Sequence, residues 1–426
     1  MTFIPLILWG LYEIICGNYK KWHIIAIGYI CLIMSHLLSA VLMLITIIIF
    51  LIIYHKRIIK EPVRLTYLSI AGAVSLIVSG GFLFPLIEQM LSNQFYYNII
   101  YPNMSHDSSF SLIRIMQGLF NGFSKAESEQ LPSVGVLLTI PIITRIFIDK
   151  KNHLLKTIDS ITIIGFCYIF AVSNLFPWNI YPFKVLNIIQ FPSRLYLFVS
   201  FFFAVSGAYY LNILTTNKRT KTICIFVFIT LTTFMLARNG KTFQEPEYLE
   251  NHQRFTPIAC ASNYYHLVGV EYVSTKFPME PKSEDNPVYN FPDIKYIEKR
   301  RDKINFKQNS TQINNYQRKW NTTIANITIP EPDILEFPLF FYKGYTATLN
   351  DKKIDVTESS LGLVEMKINE SGEVKVWYAG TPVQKISFYI SLVSGILFCI
   401  YIFLFHLFSP KKLLSKRKGR LKTVIN

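Results

Sequence analysis

The chain is dominated by long apolar segments without charge, and this feature restricts its fold more than any other. Residues 42–54 and 195–211, for example, contain no charged side chain. A helix needs about 20 predominantly apolar residues to cross a bilayer, and segments of this kind approach that length. The mean hydropathy of the whole chain is +0.31, which a water-soluble globular protein rarely reaches. The sequence therefore predicts a polytopic α-helical membrane protein.

Basic residues lie almost entirely in alternate loops between these segments, and this asymmetry predicts a topology. The loops that we expect to be cytoplasmic hold four Lys or Arg in residues 55–64, three in 150–156, three in 218–221 and seven in 411–422. The short loops on the other side hold only Arg114, Lys125 and Lys184. Loops rich in Lys and Arg stay in the cytoplasm, so the C-terminal tail is predicted to be cytoplasmic.

Nine candidate spans follow from this pattern: residues 1–17, 22–38, 40–54, 66–90, 133–148, 159–177, 194–213, 222–237 and 385–408. If residues 22–54 form two helices joined near 35–39, the N-terminus lies outside. If they form one long tilted helix, there are eight spans and the N-terminus lies inside. Lys20 and Lys21 favour nine spans, because they then lie in the cytoplasm with the other basic loops.

Four regions follow from the spans: a multispanning membrane domain (1–237), an extracytoplasmic domain (238–384), a last transmembrane helix (385–408) and a basic cytoplasmic tail (409–426). In the extracytoplasmic domain, β-branched stretches alternate with turn residues from about 338 to 384, which predicts a small, mainly β, sandwich-like part. Residues 238–384 carry 18 Lys or Arg against 19 Asp or Glu, so the net charge of +16 belongs to the membrane part. A nucleic-acid partner is therefore not expected, and the lipid bilayer is.

The cysteines and the general composition favour a bacterial plasma membrane. Of the six cysteines, only Cys260 lies in the large polar block, so no disulfide pair is available there. The abundance of Ile, Asn and Lys is typical of an AT-rich genome. The eight histidines form no HxH or HExxH spacing, and neither a metal site nor a cofactor is predicted.

The most specific local feature is the segment 190–194, Gln-Phe-Pro-Ser-Arg, which places Arg194 at the beginning of a transmembrane helix. The free N–H groups and positive dipole of a helix start, together with an Arg, suit a lipid phosphate. We predict that Arg194 and Gln190 bind such a phosphate. The alternative is an Arg that extends to the headgroups without a specific ligand.

Other ionisable residues are candidates for a polar site near the outer face. His36 and Glu88 lie in or beside apolar spans, where a buried charge is costly and therefore suggests function, although hydrogen bonding within the bundle would explain them equally well. The acids of the long outer loop, Asp107, Glu127 and Glu129, are candidates for a general base, whereas solvated loop acids are the commoner case. No residue is assigned a catalytic role.

Several motifs resemble the bacterial multispanning proteins labelled 6-pyruvoyl-tetrahydropterin synthase-related membrane proteins, which are related to the YfhO family and to GT-C glycosyltransferases. The resemblance lies in Phe-Ile-Pro-Leu at 3–6, Ser-His-Leu-Leu at 35–38, the segment 190–194, and, in the polar block, residues 271–273 and 342–352. It implies a GT-C-like fold. It also implies transfer of a sugar from a polyprenyl-phosphate donor at the outer membrane face to an envelope glycan acceptor.

In GT-C enzymes the catalytic acid lies in the first outer loop, and the resemblance aligns Met1 with the interior of the family. We therefore expect this chain to lack the N-terminal part with that loop, and whether it is an enzyme depends on whether the loop is supplied. Three hypotheses follow. The chain is a truncated GT-C-like transferase of cell-envelope glycan assembly that is inactive alone, or a non-catalytic envelope protein that binds lipid-linked glycan or a partner transferase, or a transporter of lipid-linked sugar. The sequence leaves the sugar, the acceptor and the oligomeric state open.

Overall fold

The computed structural model describes residues 2–95, 109–120, 134–149, 152–189, 191–244, 273–278, 303–308 and 311–408. The chain divides into two compact units. One consists of Met1–Gln94 and Arg300–Asn426, and the other of Phe95–Lys299. The predicted cytoplasmic tail, 409–426, lies outside the described residues.

The helices of the described residues are, in chain order, α1 (Ile4–Ile15), α2 (His23–Ser35), α3 (Leu37–Ile53), α4 (His55–Lys60), α5 (Val63–Val78), α6 (Gly80–Ser92), α7 (Leu112–Phe120), α8 (Val136–Ile143), α9 (His153–Val172), α10 (Tyr196–Leu214), α11 (Lys218–Gln244) and α12 (Pro382–Phe408). Short 3-10 helices occupy Tyr19–Lys21, Thr144–Phe147, Phe183–Ile189 and Pro192–Leu195.

Four of the described helical segments are long and apolar enough to cross a membrane: Leu154–Val172, Pro192–Leu214, Lys218–Ala237 and Pro382–Phe408. The pair α5 and α6 makes a fifth if the two count as one span. The chain is therefore a membrane protein with several apolar helices and a β region. The predicted eight or nine spans are not all present at full length, because helices such as α1, with 12 residues, are shorter than the roughly 20 residues a span needs.

The first three helices of the first unit form a tightly packed group. Gly10 of α1 lies so close to α2 that a Cβ atom there would be 2.4 Å from the backbone nitrogen of Ile25. Helix α2 ends at His36 and α3 begins directly after it. The Tyr29 hydroxyl donates to the carbonyl of Ala40 at 2.6 Å. In a continuous helix these two residues would lie about 16 Å apart along the helix axis. Residues 22–54 are therefore two helices that fold back on each other.

The predicted span 66–90 is bent by 69° between α5 and α6. Ser79 lies at the break and is fully buried. The break removes the normal helical partner of the Val78 carbonyl, which instead accepts a hydrogen bond from the Ser391 hydroxyl of α12. A serine on a neighbouring helix is a common way to satisfy such a group inside a bilayer. Helix α12 packs along both halves of the bent pair.

Nine described strands form two antiparallel sheets: β1 (Asn305–Phe306), β2 (Gln312–Lys319), β3 (Thr322–Thr328), β4 (Asp333–Phe340), β5 (Tyr345–Leu349), β6 (Lys352–Ile354), β7 (Thr357–Glu358), β8 (Leu363–Ile368) and β9 (Gly372–Tyr378). The first sheet has the order β1-β4-β8-β7 and the second β2-β3-β9-β5-β6. Their inner faces share one core, in which Phe337 of the first sheet and Val376 of the second are fully buried. We call this two-sheet part the β-sandwich.

The turn between β5 and β6 has the two-residue form that a tight hairpin requires. Asn350 and Asp351 both have positive φ angles, 49° and 63°. Asn and Asp tolerate this conformation better than most residues, so they favour this hairpin. The Asn350 amide also approaches Gly372, where an added Cβ would lie 1.9 Å from the amide oxygen. A larger residue at 372 would have to displace the Asn350 amide, which accepts a hydrogen bond from the Glu373 backbone N–H.

The second unit is held by packing of α9 against α10 and by an ion pair near the start of α9. The Arg145 guanidinium binds the Asp159 carboxylate through two hydrogen bonds, of 2.7 and 2.9 Å. The Tyr210 hydroxyl of α10 donates to the same carboxylate at 2.8 Å. A charged pair with additional hydrogen bonds is the arrangement in which an acid is tolerated within an apolar helix.

Candidate functional site

Arg194 lies where the sequence predicts it, at the entrance to a long apolar helix. It belongs to the 3-10 helix Pro192–Leu195, which continues directly into α10. Its Nη1 donates to the carbonyl of Ile189 at 3.0 Å, and its guanidinium carbon lies 5.0 Å from the centre of the Phe191 ring. These two contacts hold the side chain in a defined orientation while it stays exposed. Gln190, the other predicted phosphate ligand, lies outside the described residues.

Two buried hydrogen-bond donors lie in the same stretch of chain as Arg194. The indole N–H of Trp178 is fully buried, and the Tyr196 side chain is 8% exposed. Neither the Trp178 nitrogen nor the Tyr196 hydroxyl has a hydrogen-bond partner among the described residues. Buried polar groups are nearly always paired, so each of these donors lies where a water molecule, a ligand or another part of the chain supplies an acceptor. The sequence reading did not identify them, because a Trp and a Tyr beside an apolar span resemble ordinary core residues.

Glu88, the second ionisable candidate, lies in the first unit and connects three elements. Its Oε1 is 3.1 Å from the Lys343 ammonium of the β-sandwich. Its Oε2 accepts a hydrogen bond from the Thr381 hydroxyl, directly before α12. The Glu88 side chain is 10% exposed and that of Lys343 is 56% exposed. The carboxylate is thus paired and largely shielded from solvent.

Residues around Glu88 extend this connection. The Gln89 amide donates to the Lys343 carbonyl at 2.7 Å and to the Tyr378 hydroxyl at 3.1 Å. The Gln384 amide donates to the same hydroxyl at 2.7 Å. Thr381 and Gln384 also bond reciprocally through side chain and backbone, which is the capping box of a helix start. We call Glu88, Gln89, Lys343, Tyr378, Thr381 and Gln384 the junction.

The junction fixes the β-sandwich to the ends of two apolar helices. Every carboxylate oxygen of Glu88 is engaged, so its geometry is that of a structural group rather than a general base. His36 has a different and local role: its Nδ1 accepts a hydrogen bond from the Ser39 backbone N–H at 3.1 Å and caps α3. No described hydrogen bond or ion pair joins His36 to Glu88. The structure therefore does not bring these two candidates together.

The three outer-loop acids, Asp107, Glu127 and Glu129, lie outside the described residues and stay predictions. Within the described part of the chain, no group of three or more His, Cys, Asp or Glu is placed to hold a metal ion.

The segment 342–352, which resembles the YfhO family, forms the approach to β5, β5 itself and the following turn. Tyr342 and Tyr345 are partly buried there, and burial raises the pKa of both phenols. On the neighbouring strand, the Lys375 ammonium donates hydrogen bonds to the Glu373 and Asp351 carboxylates, and these bonds raise the pKa of Lys375. These groups keep their usual charge at neutral pH, so the segment has the character of a structural part of the sandwich.

A second polar cluster lies at the C-terminal end of α1. The Arg64 side chain is buried and donates to the carbonyls of Ile14 and Gly17, at 2.6 and 3.2 Å. Glu13 pairs with Lys21 at 2.7 Å. A cation on the last carbonyls of a helix stabilises it, because those groups carry the negative end of the dipole. The cluster thus brings Lys21 and the basic segment 55–64 to the same end of the helix group.

An apolar groove of ≈ 260 Å³ lies among α2, α3 and α5. Its buried floor includes Ile25 and Ala71, and Leu44, Ile48 and Leu76 stand at its exposed rim. The lining presents almost no polar surface. Its chemistry suits a hydrocarbon chain.

Comparison of the chain with protein-family models, with curated proteins and with solved structures found no match. The GT-C-like resemblance therefore stays a prediction from the residues that carry it.

Proposed function

We propose that this chain is an integral membrane protein that binds a polyprenyl-phosphate-linked sugar, with Arg194 holding the phosphate. The observation that carries the proposal is the fixed guanidinium of Arg194 at the entrance to α10. A planar guanidinium binds phosphate oxygens through paired N–H groups, and a preset orientation reduces the entropy lost on binding.

The surroundings of Arg194 support a lipid-linked anion as the ligand. The N-terminal end of α10 contributes partial positive charge. Since α10 is a candidate membrane span, the hydrocarbon part of such a ligand would remain in the bilayer while its phosphate lies at the helix entrance.

We further propose that the bound sugar is destined for a cell-envelope glycan. In a transferase, an acid at the outer face must activate the acceptor hydroxyl. Glu88 is engaged by Lys343 and Thr381, which favours the alternative of a protein that binds the lipid-linked glycan without transferring the sugar. Asp107, Glu127 and Glu129 stay the predicted candidates for such an acid.

The topology belongs to the same proposal. We propose nine segments in the bacterial plasma membrane, with α2 and α3 as separate crossing or partly crossing helices. The β-sandwich then lies outside the cell and the basic tail inside. The fold-back at His36 supports the nine-segment count over the eight-segment one. This sidedness is tested by labelling cysteines with a thiol reagent that does not cross the membrane, in inverted and in right-side-out vesicles.

The proposed ligand is tested by measuring polyprenyl-phosphate binding to the full chain in lipid nanodiscs. Arg194→Ala removes the guanidinium, and we expect binding to weaken about tenfold to hundredfold, because a hydrogen bond to a charged group contributes about 1.5–3 kcal/mol. Lys184→Ala is the matched control, since it removes one exposed positive charge from the same region. It should change the affinity by less than about threefold.

Two further outcomes separate the hypotheses. Equal binding by the wild-type protein and the Arg194→Ala variant would contradict the phosphate role. If binding depends on Arg194, incubation with a polyprenyl-phosphate sugar and an envelope glycan distinguishes a transferase, which releases polyprenyl phosphate, from a binding protein, which does not.

A further inference from the structure

A fully exposed tryptophan stands at the tip of the hairpin between β2 and β3. Trp320 has the largest exposed fraction among the exposed large apolar side chains of the described residues. Its φ angle is +51°, at the first of the two residues between the paired ends Lys319 and Thr322. Hairpins with a positive φ at this position normally use glycine, and a bulky residue there is an outlier. Neither packing nor turn geometry therefore explains a tryptophan here.

The hairpin tip lies at the end of the β-sandwich from which α12 emerges. The Asn321 side chain donates to the Tyr378 carbonyl at 2.8 Å and accepts from its backbone N–H at 3.2 Å. Thr322 is paired with Trp377 in the sheet. Only three residues separate Tyr378 from the beginning of α12 at Pro382, a path of at most about 14 Å. Trp320 is thus held near the entrance of α12.

Other residues at this end of the β-sandwich have the same chemical character. Arg318 and Lys319 precede the tip and are exposed. The antiparallel register places Tyr345 opposite Tyr378, with their rings 5.4 Å apart. Lys343, in the junction, lies beside them in the chain. Tryptophan, tyrosine and basic residues together are typical of the segments that lie at the surface of a bilayer.

We propose that Trp320 inserts into the headgroup region of the membrane that α12 crosses, and that Arg318 and Lys319 bind lipid phosphates beside it. The hairpin is then a second attachment of the β-sandwich to the lipid, in addition to the covalent connection through α12. An indole ring suits this location, since its apolar body enters the lipid while its N–H stays hydrated. The proposal depends on α12 being a span and not on the sugar ligand.

The opposite end of the β-sandwich supplies a matched control. Strand β5 begins near α12 at Tyr345 and ends at the turn Asn350-Asp351, so Lys352 and Lys353 lie at the far end. Both lysines are exposed. A tryptophan placed at Lys352 would share the exposure of Trp320 without its proximity to α12.

The test uses tryptophan fluorescence of the full chain in nanodiscs whose lipids carry bromine close to the glycerol backbone. The chain has five tryptophans, so the emission of Trp320 is obtained as the difference between the wild-type protein and the Trp320→Phe variant. We expect brominated lipid to remove most of this difference emission, whereas acrylamide in the water leaves most of it. The extra emission of a Lys352→Trp variant should behave in the opposite way.

A second variant separates insertion from folding. Trp320→Gly gives the turn the residue it normally uses, so the β-sandwich should remain folded, and the difference emission between the wild-type protein and this variant should show the same quenching by brominated lipid as that obtained with Trp320→Phe. Difference emission that acrylamide quenches and brominated lipid does not would overturn the proposal. Stacking of Trp320 on an added glycan or on a protein partner would then be the explanation of its exposure.

A separate measurement tests whether Arg318 and Lys319 bind lipid phosphates. We expect Arg318→Gln with Lys319→Gln to reduce quenching by brominated anionic lipid relative to brominated zwitterionic lipid, and Lys352→Gln with Lys353→Gln to leave that ratio unchanged. An equal ratio in both double variants would overturn the role of Arg318 and Lys319.

Discussion

The junction predicts how strongly the β-sandwich depends on a single carboxylate. Glu88→Ala removes two contacts: the ion pair with Lys343 and the hydrogen bond from Thr381. Lys343 is 56% exposed, so its ion pair contributes at most about 1 kcal/mol. A hydrogen bond to a shielded carboxylate contributes about 1.5–3 kcal/mol. We therefore expect Glu88→Ala to lower the free energy of unfolding by about 2–4 kcal/mol.

Glu88→Gln separates these two contributions. The amide oxygen of glutamine can still accept the hydrogen bond from Thr381, whereas the ion pair with Lys343 is lost. The expected loss is about 1 kcal/mol. Glu331→Gln is the control, because Glu331 is exposed in the same β-sandwich, and its effect should stay within about 0.5 kcal/mol.

The assay is equilibrium unfolding of the purified chain in micelles, with an increasing fraction of a denaturing detergent. Combining Glu88→Ala with Thr381→Ala gives the coupling energy between the two side chains, which should be about 1–2 kcal/mol for residues in direct contact. If Glu88→Gln is as costly as Glu88→Ala, the ion pair and not the Thr381 bond carries the stability. If neither variant changes the unfolding curve, the junction does not hold the β-sandwich and the reasoning is refuted.

Two further perturbations test the packing of the first unit and of the β-sandwich. Gly10→Leu should lower the unfolding free energy by about 3 kcal/mol or more, because its Cβ would overlap the Ile25 backbone. Gly72→Leu is the control and should cost less than about 1 kcal/mol, because the space around the added atom is open. Equal effects of the two in the micelle assay would contradict this packing. Asp333→Ala should cost about 3 kcal/mol, because the buried carboxylate accepts hydrogen bonds from the backbone N–H groups of Lys307, Gln308 and Ile334. Unchanged hydrogen exchange at the Gln308 amide would contradict it.

The sequence predicts those elements whose signal is local. The β-branched stretches predicted from about residue 338 onward correspond to β5, β8 and β9, and the turn residues Asn350-Asp351 connect β5 to β6. Four strands before residue 338 were not predicted. Pro338 lies inside β4, where a register shift between Phe337 and Phe340 accommodates it, and such a shift is not visible in a sequence pattern.

The bend between α5 and α6 was also not predicted, because its cause is not local in the sequence. The hydropathy of residues 66–90 indicates one span, and it contains no information on where the helix breaks. The break at Ser79 depends on Ser391, which supplies the missing hydrogen bond from more than 300 residues later in the chain. Interactions of this range require the folded structure.

For the candidate site, too, the sequence predicts what depends on local neighbours and not what depends on distant ones. Arg194 was predicted because its position at a helix start depends on neighbours in sequence. Glu88 was predicted as a polar site, but its partners Lys343 and Thr381 are more than 250 residues away, and only the structure assigns it a structural role. The ion pair of Arg145 and Asp159 was missed because Asp159 was interpreted as the boundary of a span.

The most direct measurement of the central claim is photo-crosslinking of the reconstituted wild-type chain with a polyprenyl phosphate that carries a diazirine next to the phosphate. Peptide mapping locates the crosslink. The account predicts a crosslink within residues 178–196 that unlabelled polyprenyl phosphate competes away and that Arg194→Ala abolishes. A crosslink confined to other parts of the chain, and unchanged in the Arg194→Ala variant, would contradict the claim that this protein binds a lipid-linked phosphate at Arg194.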